Sequence, residues 1–298
     1  LFSGEGHAAA APGPGEAGRE PSTEEQLDLP GWLLPELRDS LGPDFLPVAE
    51  ALRSRAPVFL RVNLRKTDVQ GAVAALAGAG IVARPHPLAA TALEVVENAR
   101  KVQASTTYLS GLVELQDASS QAVVAALPLR DGMTVLDHCA GGGGKTLAMA
   151  GRAKLRLFAH DAIPRRMADL PERAKRAGVQ ATLTEAPEAS APYDLVLVDA
   201  PCSGSGSWRR DPEGKWRLTP ETLASIEQTQ AAILDRVAPM VRQGGVLAYA
   251  TCSFLKRENG DQARAFLARH QGWSLDSELH LTPLQGGDGF YLAILQRN

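Results

Sequence analysis

Cysteine is scarce in this 298-residue sequence: there are three, and no two of them form a Cys-x-x-Cys pair. That spacing argues against a disulfide framework and against a structural zinc site. No apolar run reaches the roughly 18 residues a membrane-spanning helix needs. The segment from Ala8 to Ala11 lacks the basic flank and apolar core of a signal peptide. An excess of positive charge is also missing. The net charge is −3, from 31 basic and 34 acidic residues, whereas nucleic-acid binders depend heavily on phosphate contacts. What is present is 44% hydrophobic residues, enough for one large core and a small satellite domain.

Charge is unevenly spread. Acids collect at Glu5, Glu16, Glu20, Glu24, Glu25 and Asp28. The stretch from Gly4 to Pro21 is rich in Ala, Gly, Pro and Glu, so residues 1–28 are expected to be a disordered leader. With Leu1 in place of Met, the leader points to a missing upstream domain. Basic residues gather at Arg53, Arg55, Arg61, Arg65 and Lys66, at Arg152, Lys154 and Arg156, at Arg165 and Arg166, and at Lys256 and Arg257. Each of these reads most simply as solvated surface. Arg209 and Arg210 differ because they directly follow a cysteine-bearing loop.

Two of the cysteines follow short apolar runs. Leu195-Val196-Leu197-Val198 leads into Asp199-Ala200-Pro201-Cys202, and Val246-Leu247-Ala248-Tyr249 leads into Ala250-Thr251-Cys252. Runs of that length, bounded by turn-prone residues, predict buried parallel strands. Both thiols would then lie at strand C-termini, where open α/β sheets bind their ligands. Two thiols in one crevice suit covalent chemistry in which the second resolves the first. On spacing alone, two buried core cysteines are an equal reading, since free cysteine is often buried.

The third cysteine opens a glycine loop. Val135-Leu136-Asp137-His138-Cys139-Ala140 runs into Gly141-Gly142-Gly143-Gly144-Lys145-Thr146, a strand–loop–helix pattern whose backbone can approach a ligand closely. A P-loop requires glycine where Cys139 stands, and the dinucleotide pattern G-x-G-x-x-G is not met. The next predicted strand, from Leu155 to His160, ends at Asp161, an acid placed to meet a ribose diol. Together these features fit an adenosine-bearing cofactor without a bulky pyrophosphate.

At this point the sequence resembles the Sun/Nop-type (RsmB-like) RNA 5-methylcytosine methyltransferases. The segment Asp199–Gly206 followed by Arg209-Arg210-Asp211-Pro212 and Lys215-Trp216 is similar to their fourth motif. Gly244–Ser253 with Glu258-Asn259 resembles their sixth, Gln116–Gln121 the lead into their cofactor domain, and Gly287–Tyr291 their closing strand. The likeness is strong over about 110–298 and weaker over about 30–110. It implies an α/β protein, with a leader at 1–28, a small α+β RNA-binding domain at 29–108, and a Rossmann-like class I methyltransferase domain at 109–298 built on a mostly parallel seven-stranded sheet.

The resemblance also implies roles. Cys252 would add to the cytosine ring and Cys202 would help release it, with Asp199 and Lys145 at the ring edge. S-adenosylmethionine would be held by Cys139, Ala140, Gly141, Gly142, Gly143, Gly144, Lys145, Asp161, Arg166, Glu185, Asp199 and Pro201. Arg209, Arg210 and Lys215 would meet RNA, either ribosomal or transfer RNA, and the protein would act as a cytoplasmic monomer without a metal. Two departures stand out. The family's first motif usually reads Cys-Ala-Ala-Pro-Gly-Gly-Lys-Thr, and Gly141-Gly142 replace its middle pair. An aspartate usually follows the third strand, and Glu185 is the stand-in. One rival reading is a methyltransferase for uracil or DNA, against which the second thiol argues. The other is an RNA-binding scaffold without catalysis, supported only by the two departures.

Within residues 30–105, Phe59–Asn63 alternates like a strand. Val69 to Ala79 predicts a helix capped by Asp68 and ended by Gly80, and Ile81-Val82 opens another strand. Phe59 alone is a poor stacking platform, so RNA contacts there would follow the backbone. The apolar spacing from Thr222 to Val241 predicts a helix packed on the sheet.

Overall fold

The computed structural model describes Gly13 and residues 21–298. The disorder expected from Gly4 to Pro21 therefore lies mostly outside the described residues. The leader's end is ordered, contrary to expectation. Ser22 and Glu25 form a reciprocal cap that starts the helix Thr23–Leu27.

Two more helices, Leu33–Leu41 and Phe45–Leu52, follow. Their apolar residues Leu33, Leu37, Phe45 and Val48 share a core with Trp208, Leu223, Phe254 and Leu255, all from the second half of the chain.

The small domain's sheet is built from β1 (Val58–Val62), β2 (Val82–Pro85), β3 (Ala92–Glu97) and β4 (Val113–Leu115). Its order is β2-β3-β1-β4 with antiparallel pairs. With the helix Val69–Gly78 after β1 and helical turns before β4, the order is the β-α-β-β-α-β of ferredoxin-like units. Asp68 caps that helix through Gly71 N–H at 2.7 Å, as its sequence predicts. β4 carries this sheet to Leu115, past the boundary expected after residue 108.

The second sheet has seven strands: β5 (Thr134–Asp137), β6 (Arg156–Ala159), β7 (Thr182–Leu183), β8 (Tyr193–Asp199), β9 (Val241–Thr251), β10 (Trp273–Leu281) and β11 (Phe290–Arg297). The order is β10-β11-β9-β8-β5-β6-β7. β5 to β9 pair in parallel, while β11 runs antiparallel to both β9 and β10. Leu195 to Val198 on β8 are fully buried, because helices cover both faces of the parallel part. The chain winds outward from β5 in one direction and returns through β8 in the other. That reversal places a crevice at the carboxyl ends of β5 and β8.

The helix expected over Thr222–Val241 runs from Pro220 to Val237. Pro239 lacks the N–H needed to continue it, so Ala238–Met240 forms a tight turn and Val241 opens β9. Among the described residues, no helix is long and apolar enough to cross a membrane.

Candidate active site

β8 and β9 are adjacent and parallel, so their ends bring the two cysteine loops together. Cys202 Sγ lies 3.4 Å from Cys252 Sγ. The contact divides the two thiols. The hydrogen bond from Cys202 lowers the Cys252 pKa, aided by Lys145 and Ser207 and opposed by burial and Asp199. The same bond, reinforced by burial, pushes Cys202 well up. The contact thus favours the nucleophilic thiolate at Cys252 over Cys202.

A buried carboxylate fixes these loops. Glu258 accepts Ser203 N–H at 2.7 Å and Ser203 Oγ–H at 2.5 Å, and it also accepts the Ser253 hydroxyl. Ser203 and Ser253 each follow one cysteine directly. Gln230, fully buried on the helix Pro220–Val237, donates to Glu258 at 3.2 Å and to Pro201 O at 2.9 Å. Sequence reasoning assigned no role to either residue. Glu258 directly follows Lys256 and Arg257, which read as surface, yet it is wholly buried.

The second charged pair is Lys145 with Asp199, at 2.6 Å. Burial works against the Lys145 ammonium, but the Asp199 carboxylate, with Cys252 and Asp137, outweighs it and holds its pKa above the usual lysine value. The ammonium also sits 4.8 Å from the centre of the Phe290 ring.

The glycine loop lies between the ends of β5 and β6. Gly141 and Gly143 have φ of +48° and +79°. A Cβ on Gly143 would fall 2.1 Å from Leu170 Cδ1, so only glycine fits. Asp161 accepts Gly141 N–H at 3.0 Å and Ile163 N–H at 2.9 Å, and Arg166 stands 3.7 Å away. Asp161 thus ties the end of β6 to the loop. Below the loop, Thr146 donates to buried Asp137 at 2.6 Å. Burial pushes Asp137 up to about 7.

Three expected cofactor residues sit less centrally. Cys139 is half-buried, and burial raises its thiol far above the reactive range. Glu185 is exposed just beyond the outermost strand, β7. Pro201 is exposed, with its carbonyl held by Gln230.

The three residues expected to meet RNA each have partners within the chain. Arg209 is almost buried and donates to Gly286 O at 3.3 Å, to Gly287 O and to Asp288 at 3.2 Å. Lys215 is buried and pairs with Asp28. Arg210 binds Asp288 at 2.5 Å and Asp117 at 2.9 Å, with part of its side chain exposed. Buried cations need partners, and these acids supply them. Nothing in the local sequence distinguishes a phosphate-seeking arginine from one folded against a distant aspartate.

An open cavity of about 500 Å³ connects Cys252 to the small domain. Phe59 of β1, Gln116, Asp117, Arg210 and Phe290 line it beside the sulfur. Among the described residues no cluster of His, Cys, Asp or Glu is arranged to hold a metal ion.

A Rossmann-like sheet with a glycine loop, an acid after β6 and a ferredoxin-like unit in front defines the class of the fold, that of class I methyltransferases. The chain belongs to the family described as 16S rRNA methyltransferase RsmB/F, whose profile matches residues 124–296. The ferredoxin-like domain of the RsmF/B-like methyltransferases matches residues 29–103. The ribosomal RNA small subunit methyltransferase B of Salmonella arizonae is 35% identical over 283 residues, covering 89% of this chain. That of Salmonella typhi is 35% identical over 284 residues. The chain spans 66% of the length of these curated relatives. The crystal structure of PH0851 superposes with a TM-score of 0.85 at 27% identity, over 94% of this chain and 69% of that one. A methyltransferase homologue from Pyrococcus horikoshii shares the fold, with a TM-score of 0.80 at 23% identity over 92% of this chain and 97% of its own.

Proposed function

We propose that this chain methylates carbon 5 of a cytosine in ribosomal RNA, with S-adenosylmethionine as methyl donor and Cys252 as covalent nucleophile. The observation that carries the reading is the pair of sulfurs 3.4 Å apart at the ends of two adjacent parallel strands, with the Lys145–Asp199 ion pair at the same sheet edge.

Cytosine carbon 5 is a weak nucleophile. A thiolate adding to carbon 6 converts the ring to an enamine with its reactivity at carbon 5. The Cys252 sulfur forms that bond, and the ring's displaced electron pair moves toward N3. Asp199 meets the N3 edge and shares with Lys145 the proton that neutralises it. The bases of a duplex are stacked, so the target enters flipped or single-stranded. The cavity between Phe59, Phe290 and Cys252 has room for it.

The loop fits the cofactor. Gly141 to Gly144 put bare backbone at the crevice, and each oxygen of Asp161 accepts one backbone N–H, which leaves it a further lone pair. When bound, S-adenosylmethionine supplies the electrophilic methyl group. Release then requires a proton to leave carbon 5, the C5–C6 double bond to re-form and the C6–S bond to break. Cys202 passes its hydrogen to the departing Cys252 sulfur and takes up the proton from carbon 5, the N3 proton returns to the Lys145–Asp199 pair, and loss of one proton to water restores the Cys252 thiolate. The protein then ends the cycle with both sulfurs free of the base.

The test is a pair of substitutions. Cys252→Ala should neither methylate nor trap RNA. Cys202→Ala should methylate and stall, leaving RNA attached through Cys252 on a denaturing gel. Adduct accumulating in Cys252→Ala would reverse the roles. Full activity in both variants would return the cysteines to the core and end the covalent reading.

A further inference from the structure

Four consecutive glycines make the loop Gly141–Gly144, and glycine loses more backbone freedom on ordering than any other residue. Two of the loop's carbonyls are held from outside. Arg61, on β1 of the small domain, donates to Gly144 O at 2.8 Å. Arg173, on the helix Leu170–Ala177, donates to Gly142 O. Arg173 is in turn held by Glu114 of β4, at 3.5 Å, whose other oxygen takes Arg176 at 2.8 Å. Glu114 is buried, so water and salt screen these pairs little. A continuous set of contacts therefore runs from the small domain's sheet to the cofactor loop.

We infer that Glu114 and Arg173 are positioning residues for the methyl donor: the small domain, through them, holds the Gly142 carbonyl and keeps the glycine loop in its binding shape. The inference rests on reading Gly141–Gly144 as the cofactor cradle. A loop already held in place loses less conformational freedom when the ligand arrives.

Geometry at Gly142 provides a discriminating test. A Cβ built there meets one atom within 4 Å, Nη1 of Arg173, at 2.8 Å, and Gly142 is outside the positive-φ region. Alanine at 142 is thus opposed by Arg173 alone. With Arg173 cut back, alanine fits, and it stiffens the loop by removing glycine's extra freedom.

The experiment is calorimetric titration of the full chain with S-adenosylmethionine, beside initial rates with RNA. Arg173→Ala should weaken binding by roughly tenfold or more, the effect of losing a hydrogen bond from a charged donor. Gly142→Ala alone should also weaken it. Adding Gly142→Ala to Arg173→Ala should recover roughly two- to fivefold. Glu114→Gln, equal in size, should weaken binding without that rescue, and it carries the test if Arg173→Ala does not fold. In turnover, the change should fall on KM for the cofactor more than on kcat. The reversal of sign at Gly142 is something that general destabilisation does not produce.

Wild-type affinity in both Arg173→Ala and Glu114→Gln would overturn the inference. So would a loss in Arg173→Ala that Gly142→Ala deepens. If the wild-type chain binds no S-adenosylmethionine, the cofactor reading itself fails and takes the inference with it.

Discussion

Glu258 accepts the backbone N–H of Ser203 at 2.7 Å, and so ties the loop carrying Cys202 to the segment that follows Cys252. Burial raises the carboxyl's pKa, while Ser203, Ser253 and Gln230 oppose that shift by donating to it. Glu258→Gln keeps the shape but turns two donors against hydroxyls that already point inward. It should cost about 1–3 kcal/mol of stability and raise the Cys252 pKa as the sulfurs lose their register. Thermal melting and ultraviolet titration of the thiolate measure the two effects. An unmoved Cys252 titration would make Glu258 a structural residue only.

Asp161 serves both the loop and the ligand. Asp161→Ala should weaken S-adenosylmethionine binding by ~1–3 kcal/mol. Isothermal calorimetry reads this directly. Undiminished affinity would move the ribose site elsewhere.

Arg209 should behave as part of the fold. Arg209→Ala removes one partner of nearly buried Asp288 and leaves Arg210 on the other oxygen. A loss of about 3 kcal/mol is expected, the low end for breaking a buried pair. The slope of log RNA affinity against log salt should stay as in the wild type. A flatter slope at unchanged stability would restore Arg209 as a phosphate contact.

Asp137 makes stability depend on pH in an unusual direction. Its carboxyl titrates at about 7 in the folded chain against an ordinary 3.8. Between those values the folded state holds a proton that the unfolded state has lost. Folding therefore weakens as pH rises from about 4 to 7, by about 1.4 kcal/mol for each pH unit. Asp137→Asn should remove this slope. Its melting temperature should exceed the wild type's by more at pH 8 than at pH 5, and a constant difference would refute the assignment.

The parts of the fold legible in the sequence were those with local causes. The apolar runs before Cys202 and Cys252 became adjacent buried strands, and Asp68 capped its helix where its spacing placed it. The seven-stranded sheet and the small α+β domain before it also agree with the motifs. What stayed illegible is what a distant partner decides. Lys215 lies far in sequence from Asp28, Arg209 from Asp288, and the Ser203 contact of Glu258 forms only when its loop folds over it. The helices Leu33–Leu41 and Phe45–Leu52 have ordinary apolar faces, and no local signal says which domain those faces will cover.

Those same helices set a condition on any exchange of parts between relatives. They close over Trp208, Phe254 and Leu255, beside both cysteine loops. A catalytic half transplanted from residue 109 onward would leave that apolar surface bare, an invitation to aggregation. The first strand-free stretch is therefore a wall of the catalytic half, although it stands in sequence ahead of the small domain. The unit to graft therefore includes these helices, and with them Asp28, the partner of buried Lys215.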